Sequence, residues 1–372
     1  MSNNSDFVQL AVAGVRGLKP YQAGKPIDEL EREYGVQNII KLASNENPLG
    51  PSPIAMAALP LMISDLARYP DGNGFTLKKI ISEQFDLAPS QIILGNGSSD
   101  ALEFVVRVLA SSGDEIIFSQ HSFAMYPLMT QMVGATAVVT PAKDWGHDLD
   151  VMLQAITDKT KIIFVANPNN PTGTWLTKTE LVAFISQVPS RVVIVVDEAY
   201  HEYVQEEAYS SMVSLLSATP NLMVTRTFSK AFGLAGLRAG FALCHPELAD
   251  LLNRIRPPFN VNSMALAAAE VSLTDTDHID KSVQLNSHGM LQLTNAFSSL
   301  NLEYIPSVGN FVSVNVQQDE GAIYEKLLRQ GVIVRPVGNY QMPGFLRITI
   351  GLEHENQRFI NALKNAIESD LY

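Results

Sequence analysis

The sequence predicts an α/β protein in which a large domain, built on a mostly parallel sheet covered by helices, is joined to a smaller α+β domain. Its 372 residues exceed the size of one typical domain. Between residues 77 and 225, near-continuous apolar runs alternate with helical patterns, which is typical of a parallel sheet buried on both faces. After Pro257 and Pro258 the alternation ends, and an Ala-rich helix, a long helix and scattered short strands are predicted instead.

The chain divides into an N-terminal arm that joins the small domain, a large domain and a small domain, with predicted bounds at 1–45, 46–260 and 261–372. Within the arm we predict a short helix at 7–15, an amphipathic helical turn or two at 27–34 and a strand at 39–42. The turn-rich S-N-E-N-P-L-G-P-S-P at 44–53 marks the passage into the large domain.

Apolar periodicity predicts the elements of both domains. In the large domain the predicted helices are 54–66, 77–85, 101–110, 124–133, 150–156 and 181–188, and the strands are 91–94, 115–118, 135–139, 161–165, 191–196 and 222–225. In the small domain the helices are 263–273, 281–300, 321–330 and 356–371, and the strands are 311–316, 332–334 and 346–350. Polar motifs follow the strands of the large domain, where parallel sheets bind their ligands.

Composition excludes several classes of protein. Apolar residues make up 46% of the chain and charged residues 17%, which is typical of a folded core. The net charge of −12, without a cluster of Lys or Arg, argues against a nucleic-acid surface. One cysteine, Cys244, excludes a disulfide framework, and the histidine spacing fits no metal motif. No apolar run approaches the ~18 residues of a membrane span, and the start lacks a signal-peptide pattern. We expect a soluble, cytoplasmic protein without a metal.

The stretch V-T-R-T-F-S-K-A-F-G-L-A-G-L-R-A-G at 224–240 carries the strongest chemical signal. An apolar strand ends there in Thr227, Ser229 and Lys230, and two glycines and Arg238 follow. A lysine held among dipoles and cations suits a Schiff base, because its amine titrates low enough to act as a nucleophile. The hydroxyls and the guanidinium suit a phosphate. The alternative is a strand, a glycine turn and a solvated lysine.

Two further motifs place polar groups at strand ends. G-N-G-S-S-D at 95–100 sets the backbone N–H groups of Ser98 and Ser99 at a helix N-terminus, where a phosphate binds with the help of the helix dipole. The alternative is an ordinary helix cap. N-P-N-N-P-T-G at 167–173 presents an asparagine amide beyond a strand, because its two Asn-Pro steps disfavour helix. The alternative is a loop without chemical function.

V-V-D-E-A-Y at 195–200 places Asp197 where a buried apolar strand stops. A carboxylate in such a place needs a partner. A pyridinium nitrogen is a fitting one, since a carboxylate that keeps it protonated makes the ring an electron sink. The alternative is an aspartate that caps a helix. The neighbouring Glu198 has no chemical role that the pattern indicates, and we interpret it as structural.

The segment T-F-S-K-A-F-G-L-A-G-L-R-A-G closely resembles the lysine segment of the fold-type I pyridoxal-phosphate aminotransferases. Within that superfamily the chain is most similar to the histidinol-phosphate aminotransferase family. The resemblance runs from P-Y-Q-A-G-K-P at Pro20 to L-R-I-T-I-G at Leu346. It implies the fold-type I architecture, pyridoxal 5′-phosphate on Lys230, and a homodimer with shared sites. It also implies transamination between histidinol phosphate and 2-oxoglutarate in histidine biosynthesis.

The resemblance assigns roles to residues that match its motifs. Lys230, Asp197 and Tyr200 are implied to be catalytic, with Asn170 and Tyr200 on the phenolic oxygen of the cofactor. Phe123 matches the ring that stacks on the cofactor, although a core phenylalanine is an equal alternative. Further contacts to the cofactor are implied for Ser98, Ser99, Thr227, Ser229, Arg238 and, across a subunit interface, Tyr69.

Two arginines are expected at the substrate. Arg347 lies on a predicted strand, where a bidentate carboxylate would satisfy its charge. The resemblance implies that Arg347 binds the substrate carboxylate, that Arg335 binds the phosphate of histidinol phosphate, and that Tyr21 of the arm covers the substrate.

Three alternatives remain open from the residues. An aromatic amino-acid aminotransferase shares the motif around V-R-P-V-G-N-Y-Q-M-P-G-F-L-R, and a phosphothreonine decarboxylase shares the lysine motif and a phosphate-binding arginine. The aminotransferase-like domain of a transcription regulator would need a DNA-binding extension, for which we expect residues 1–20 to leave no room.

Overall fold

The computed structural model describes residues 6–20 and 24–368. Its strands are β1 (Ile40–Lys41), β2 (Ile92–Gly95), β3 (Glu115–Ser119), β4 (Thr136–Thr140), β5 (Ala142–Lys143), β6 (Gly146–His147), β7 (Thr160–Ala166), β8 (Val193–Asp197), β9 (Leu222–Thr227), β10 (Gly240–Cys244), β11 (Tyr304–Ile305), β12 (Phe311–Asn315), β13 (Val332–Ile333), β14 (Arg335–Pro336) and β15 (Phe345–Thr349). Its α-helices are α1 (Phe7–Leu10), α2 (Ala13–Arg16), α3 (Ile27–Tyr34), α4 (Pro53–Ala58), α5 (Phe75–Phe85), α6 (Ser98–Leu109), α7 (Met125–Met132), α8 (Leu149–Gln154), α9 (Lys178–Ile185), α10 (Pro246–Ile255), α11 (Ser263–Ser272), α12 (Thr276–Ser299), α13 (Glu320–Arg329) and α14 (Glu353–Glu368).

The larger sheet has seven strands in the order β2-β10-β9-β8-β7-β3-β4. Strands β4, β3, β7, β8 and β9 pair in parallel, whereas β10 is antiparallel to both β9 and β2. Neighbouring residues of one strand, such as Ile92 and Ile93, belong to two different apolar clusters, because successive side chains point to opposite faces of a sheet. The strands are therefore covered on both faces, and the predicted α/β class is confirmed.

The smaller sheet is antiparallel, in the order β11-β12-β15-β14. Its apolar face packs with residues of α12, α13 and α14 in a separate cluster. The arm joins this part of the molecule, since β1 pairs in parallel with β13 and the N–H of Leu42 donates to the carbonyl of Ile333. The α+β character of the C-terminal part is confirmed, whereas the bounds at residues 46 and 261 stay predictions.

Several elements differ from those predicted. The helix predicted at 54–66 is α-helical only to Ala58 and continues as a tighter 3-10 helix over Leu59–Asp65; Pro60 lacks the N–H that an α-helix needs there. The helix predicted at 7–15 is two short helices, since Ala11 and Val12 between them are extended.

Other elements differ from the prediction because apolar periodicity does not indicate where or how they begin. Helix α12 begins at Thr276, earlier than predicted, because the Asp275 side chain accepts from the N–H of His278 and caps it. Strand β10 and helix α10 were not predicted at all. Both follow the glycine-rich turn after Lys230, and the Cys244 thiol at the end of β10 is fully buried.

None of the helices in the described ranges is long and apolar enough to cross a membrane. The same part of the chain holds no group of three or more His, Cys, Asp or Glu side chains placed to bind a metal ion.

Candidate active site

A cavity of about 410 Å³ lies where the carboxyl ends of β7, β8 and β9 face the smaller sheet. This is the edge at which parallel sheets bind ligands. The cavity brings together twelve of the predicted site residues: Ser98, Ser99, Phe123, Asn170, Asp197, Tyr200, Thr227, Ser229, Lys230, Arg238, Arg335 and Arg347.

Lys230 follows the end of β9 and is partly buried in the cavity wall. Its Nζ donates to the carbonyl oxygen of Ser44 at 3.1 Å and lies 5.6 Å from the centre of the Tyr200 ring. Burial, and then the positive charges of Arg347 and Arg238, lower the pKa of Lys230 to about 8, against the opposing charge of Glu46. A substantial fraction of the amine is therefore neutral, and nucleophilic, at mildly alkaline pH.

Asp197 ends β8 and is buried on the cavity floor. Its Oδ1 accepts from the hydroxyl of Thr225 at 2.9 Å, and its Oδ2 accepts from the hydroxyl of Tyr126 at 3.0 Å. Burial raises the pKa of Asp197, while these two hydrogen bonds and the N–H of Ala199 act in the opposite direction. The arrangement holds one carboxylate in a fixed position, where a cationic N–H in the cavity would complete its set of partners.

Tyr126 is the first functional residue that sequence reasoning missed. Its ring is fully buried, stacks on Phe164 at 4.4 Å and meets Phe123 edge-on at 5.8 Å. It therefore connects the wall residue Phe123 to the floor residue Asp197. Tyr126 lies in the segment H-S-F-A-M-Y at 121–126, which also contains Phe123, but its position in a helix, far along the chain from Asp197, carries no signal of that contact.

Asn45 is the second residue that was missed. Its Nδ2 donates to the hydroxyl of Tyr200 at 2.9 Å, and its backbone N–H donates to the hydroxyl of Thr349 at 2.9 Å. Burial raises the pKa of Tyr200 to about 12, although the nearby Arg347 opposes the shift. Tyr200 is thus held as a neutral phenol that can donate into the cavity. The only sequence signal for Asn45 is its turn-rich segment S-N-E-N-P.

A cup of hydrogen-bond donors forms at the start of α6. The first N–H groups of a helix lack partners within it, and here they belong to Ser98 and Ser99. The guanidinium of Arg238 donates to the hydroxyl of Ser229 at 3.2 Å, and Thr227 adds a hydroxyl.

Glycines allow the cup to form. A Cβ on Gly97 would lie 2.5 Å from the Arg238 guanidinium, and a Cβ on Gly240 would lie 2.3 Å from the backbone nitrogen of Ser98. Gly97 also has φ +82°, a conformation that other residues rarely adopt. The backbone and the guanidinium can therefore approach each other closely enough to surround a phosphate group.

Two buried arginines of the smaller sheet also line the cavity. Arg335 of β14 and Arg347 of β15 are register partners on adjacent strands. Arg347 donates from Nη1 to Oδ1 of Asn170 at 2.5 Å and from Nη2 to the carbonyl of Ala43 at 2.7 Å. Its Nε is buried and has no hydrogen-bond partner among the described residues. A carboxylate or phosphate oxygen of a substrate would satisfy this donor.

Tyr69 is not among the residues that line this cavity. The side chain of Tyr69 is 82% exposed and stacks on Phe259 with ring centres 4.6 Å apart. Tyr21 lies outside the described residues.

Glu198 lies next to Asp197 but belongs to a separate buried network. It accepts hydrogen bonds from the guanidinium of Arg226 at 2.9 Å, from the hydroxyl of Ser211 and from the N–H of Met212. Arg226 also pairs with Glu202. Removal of Arg226 would leave two buried carboxylates without their cation, so this network holds together the chain that follows β8.

The chain was compared with known proteins and structures. The family model described as aminotransferase class I and II matches residues 37–363. Histidinol-phosphate aminotransferase 1 of Nitrosococcus oceani is 56% identical over 362 residues, which cover 97% of this chain and 98% of that protein. Histidinol-phosphate aminotransferase 1 of Idiomarina loihiensis is 53% identical over 357 residues, with coverage of 96% and 97%.

Among solved structures, histidinol-phosphate aminotransferase from Sinorhizobium meliloti in complex with pyridoxal-5′-phosphate superposes with a TM-score of 0.87 at 27% identity. The match covers 99% of this chain and 98% of that one. The donor cup, the buried carboxylate and the lysine of lowered pKa fit a phosphate, a ring N–H cation and an aldehyde, the three functional ends of this cofactor. The chain therefore belongs to the class I and II aminotransferase family, and it is an aminotransferase that uses pyridoxal 5′-phosphate.

Proposed function

We propose that the protein transfers the amino group of histidinol phosphate to 2-oxoglutarate, yielding imidazole-acetol phosphate and glutamate, as a step of histidine biosynthesis. The names of its relatives support this reaction. The observation that carries it is the pair of buried arginines, Arg335 and Arg347, which are register partners on adjacent strands and line the same cavity as Lys230. Two cations suit a substrate that brings a phosphate ester in one half-reaction and the carboxylates of glutamate in the other.

We propose that different residues of the cavity bind different parts of the cofactor. Ser98, Ser99, Thr227, Ser229 and Arg238 hold its phosphate in the donor cup. Phe123 packs on its ring, and Asn170 and Tyr200 donate to its phenolic oxygen. When bound, pyridoxal phosphate supplies an aldehyde that condenses with amines and a ring that withdraws electrons from the adjoining carbon.

In this proposal Lys230 is both the attachment point and the proton carrier. Its pKa of about 8 would let the amine take a proton from Cα of the amino substrate and deliver a proton to C4′, the aldehyde carbon of the cofactor. The carbonyl of Ser44 orients the amine from outside the reacting atoms. The cations that lower its pKa, Arg347 and Arg238, line the same cavity as the amine.

Asp197 holds the proton of the ring nitrogen. Tyr126 and Thr225 each donate to one of its oxygens, so the carboxylate is oriented before the reaction and does not have to reorganise during it. Tyr200, kept neutral by burial and positioned by Asn45, donates a hydrogen bond without carrying charge.

At the substrate end, Arg347 binds a carboxylate in the glutamate half-reaction, using the Nε that lacks a partner among the described residues. Its contact with Asn170 ties this arginine to the loop at the cofactor. We propose that Arg335 takes the phosphate of histidinol phosphate and that Tyr21 covers the bound substrate.

We further propose a homodimer in which Tyr69 reaches the partner's cofactor phosphate. Seven large apolar side chains between residues 54 and 75, Tyr69 included, are exposed, and an apolar surface of this kind is typical of a subunit interface. Because the proposed reaction consumes small metabolites of the cytoplasm, we propose that location for the enzyme.

The proposal is tested by steady-state rates with histidinol phosphate and with phenylalanine, each paired with 2-oxoglutarate. We expect kcat/KM to be higher for histidinol phosphate. Arg335→Leu should selectively lower kcat/KM for histidinol phosphate, since phenylalanine offers no phosphate. A preference for phenylalanine would instead support the aromatic aminotransferase. Release of carbon dioxide from phosphothreonine would support the decarboxylase.

A further inference from the structure

His121 lies in the loop between β3 and α7, two residues before the wall residue Phe123. Its backbone adopts φ +58°, a left-handed conformation that Asn, Asp and His tolerate better than most residues. None of the roles described above uses its side chain. Three contacts nevertheless meet at this residue, and they connect the two sheets of the molecule.

The first contact fixes His121 to the large sheet. Its carbonyl oxygen accepts from Nδ2 of Asn169 at 3.0 Å, in the same loop that presents Asn170 to the cavity. The following residue, Ser122, is held by a 2.6 Å hydrogen bond to the carbonyl of Ser119 at the end of β3. The loop that carries Phe123 is therefore fastened at His121 and at Ser122.

The second contact crosses to the smaller sheet. Nδ1 of His121 lies 2.7 Å from the carbonyl oxygen of Tyr340. Since a carbonyl only accepts, the ring must carry its proton on Nδ1. Beside this bond, Nε2 of Gln120 donates to Oε1 of Gln341 at 2.9 Å.

The third contact is aromatic. The imidazole packs against Trp145 with ring centres 5.2 Å apart, and Trp145 packs against Phe345 of β15 at 5.0 Å.

Tyr340 is attached rigidly to the strands that carry the two arginines. It ends a short 3-10 turn, its N–H donates to the carbonyl of Val337, and Val337 in turn donates to Phe345. Val337 lies two residues after Arg335, and Phe345 lies two residues before Arg347. A shift of the Tyr340 turn would consequently move both arginines relative to Phe123.

We propose that His121 is a positioning residue that sets the spacing between the Phe123 loop and the strands of Arg335 and Arg347, and thereby the affinity for anionic amino substrates. It touches neither substrate nor reacting atoms. The proposal rests on the proposed function only in taking the arginines as the substrate's anchors. The hydrogen bond from Nδ1 to the carbonyl of Tyr340 connects the Phe123 loop to the strands of Arg335 and Arg347, and each of these two parts is internally rigid.

Three substitutions separate this bond from the other features of His121. Asn keeps the left-handed backbone and offers an amide N–H close to the place of Nδ1. Asp has the same shape but only acceptor atoms, which face the Tyr340 carbonyl unfavourably. Gly keeps the backbone conformation and adds neither donor nor charge. All three lose the ring contact with Trp145, so this loss does not contribute to the differences among them.

The experiment measures the half-saturating concentration of glutamate for conversion of the bound cofactor, followed by its absorbance, in the loaded enzyme. Glutamate makes the result independent of whether histidinol phosphate is a substrate. We expect His121→Asn to stay within about twofold of the parent, and His121→Gly to need roughly three- to tenfold more glutamate, since a hydrogen bond of this kind has a modest net worth. His121→Asp should need at least as much as His121→Gly. The limiting rate should change less than the half-saturating concentration, because the reacting groups stay in place.

His354→Asp serves as the control for charge, since His354 is exposed at the start of α14. Nitrogen-15 NMR of the imidazole gives a readout that does not depend on activity, and we expect a protonated Nδ1 on His121. Equal half-saturation in the Asn, Asp and Gly variants would overturn the proposal, as would an unprotonated Nδ1. If His121→Asp does not fold, the comparison of Asn with Gly decides alone.

Discussion

Replacing Tyr126 with phenylalanine removes a single hydroxyl from beneath the active site. That hydroxyl donates to Oδ2 of Asp197 at 3.0 Å, and its ring is held on both sides by Phe164 and Phe123. Phenylalanine keeps these ring contacts. The carboxylate keeps Thr225 on Oδ1 and the N–H of Ala199, but one of its oxygens loses its donor in a buried site.

The size of the effect follows from the charge on the acceptor. A hydrogen bond to an ionised group contributes roughly 1.5–3 kcal/mol, which corresponds to a factor of about 10 to 100. Because Asp197 is proposed to serve the reaction as a carboxylate, we expect Tyr126→Phe to lower kcat/KM by about that factor. In the parent protein, the hydrogen bond from Tyr126 lowers the pKa of Asp197. Removal of this bond therefore raises that pKa and shifts the acidic limb of the pH–rate profile to higher pH.

The assay is the rate of the amine half-reaction as a function of pH, together with a titration of cofactor binding. Thr225→Val removes the hydroxyl on the other oxygen at nearly constant volume and should act similarly. Tyr304→Phe, in the smaller sheet, is the matched control and should leave both quantities unchanged. If Tyr126→Phe stays within twofold of the parent in both, the carboxylate does not depend on its oriented donors, and the reasoning fails.

Four further predictions concern residues of the site. Borohydride reduction followed by peptide mapping should place the cofactor on Lys230, and a label on another lysine would contradict the assignment. Because burial lowers the pKa of Lys230 to about 8, capture of pyridoxal phosphate by the apoprotein should accelerate as pH rises through 8; a rate independent of pH between about 7 and 9 would speak against it. Asp197→Asn should retain cofactor yet slow the amine half-reaction by on the order of 10²–10³, and a loss of less than about twofold would show that Asp197 does not face the ring nitrogen. Mixed dimers of Tyr69→Ala and Lys230→Ala chains should recover a quarter to a half of parental activity, by a rough estimate for random pairing, at limiting cofactor; no recovery in verified mixed dimers would exclude a shared site.

The folded-state stability should also depend on pH through Lys230. Its pKa in the folded protein lies below the ordinary value of 10.5, so the unfolded chain binds more protons between about pH 8 and that value. The contribution of Lys230 to the free energy of unfolding therefore becomes more favourable as pH rises through this window. Comparison of the parent with Lys230→Met by denaturant titration at several pH values measures it.

The sequence predicted those parts of the site that lie directly at strand ends. Lys230, Asp197 and Asn170 each follow an apolar run within a few residues, and parallel strands deliver their ends to one edge. The local pattern thus contained both their chemistry and their common location. The roles of these residues remain proposals that the cavity geometry supports.

Contacts between distant segments could not be predicted in this way. Tyr126 lies on a helix and Asn45 in a turn, and both reach the site only through the packing of other elements. Strand β10 was overlooked although it is an apolar run, and its reversed direction could not be predicted because an apolar run does not encode the direction of a strand. Tyr69 is exposed in the single chain, and its predicted role stays a prediction because it depends on contact with a second subunit.

Strand β10 bears on how the molecule folds. It pairs with β9 on one side and β2 on the other, and this places Gly240 beside the backbone nitrogen of Ser98. Contacts between residues so distant in sequence carry a large entropic cost, because the intervening chain must be closed into a loop. The donor cup thus exists only once the last strand has been inserted into the sheet. An anion that binds there stabilises the state in which β10 is paired over the unfolded chain, so we expect capture of the cofactor during refolding to follow the pairing of β10 with β2.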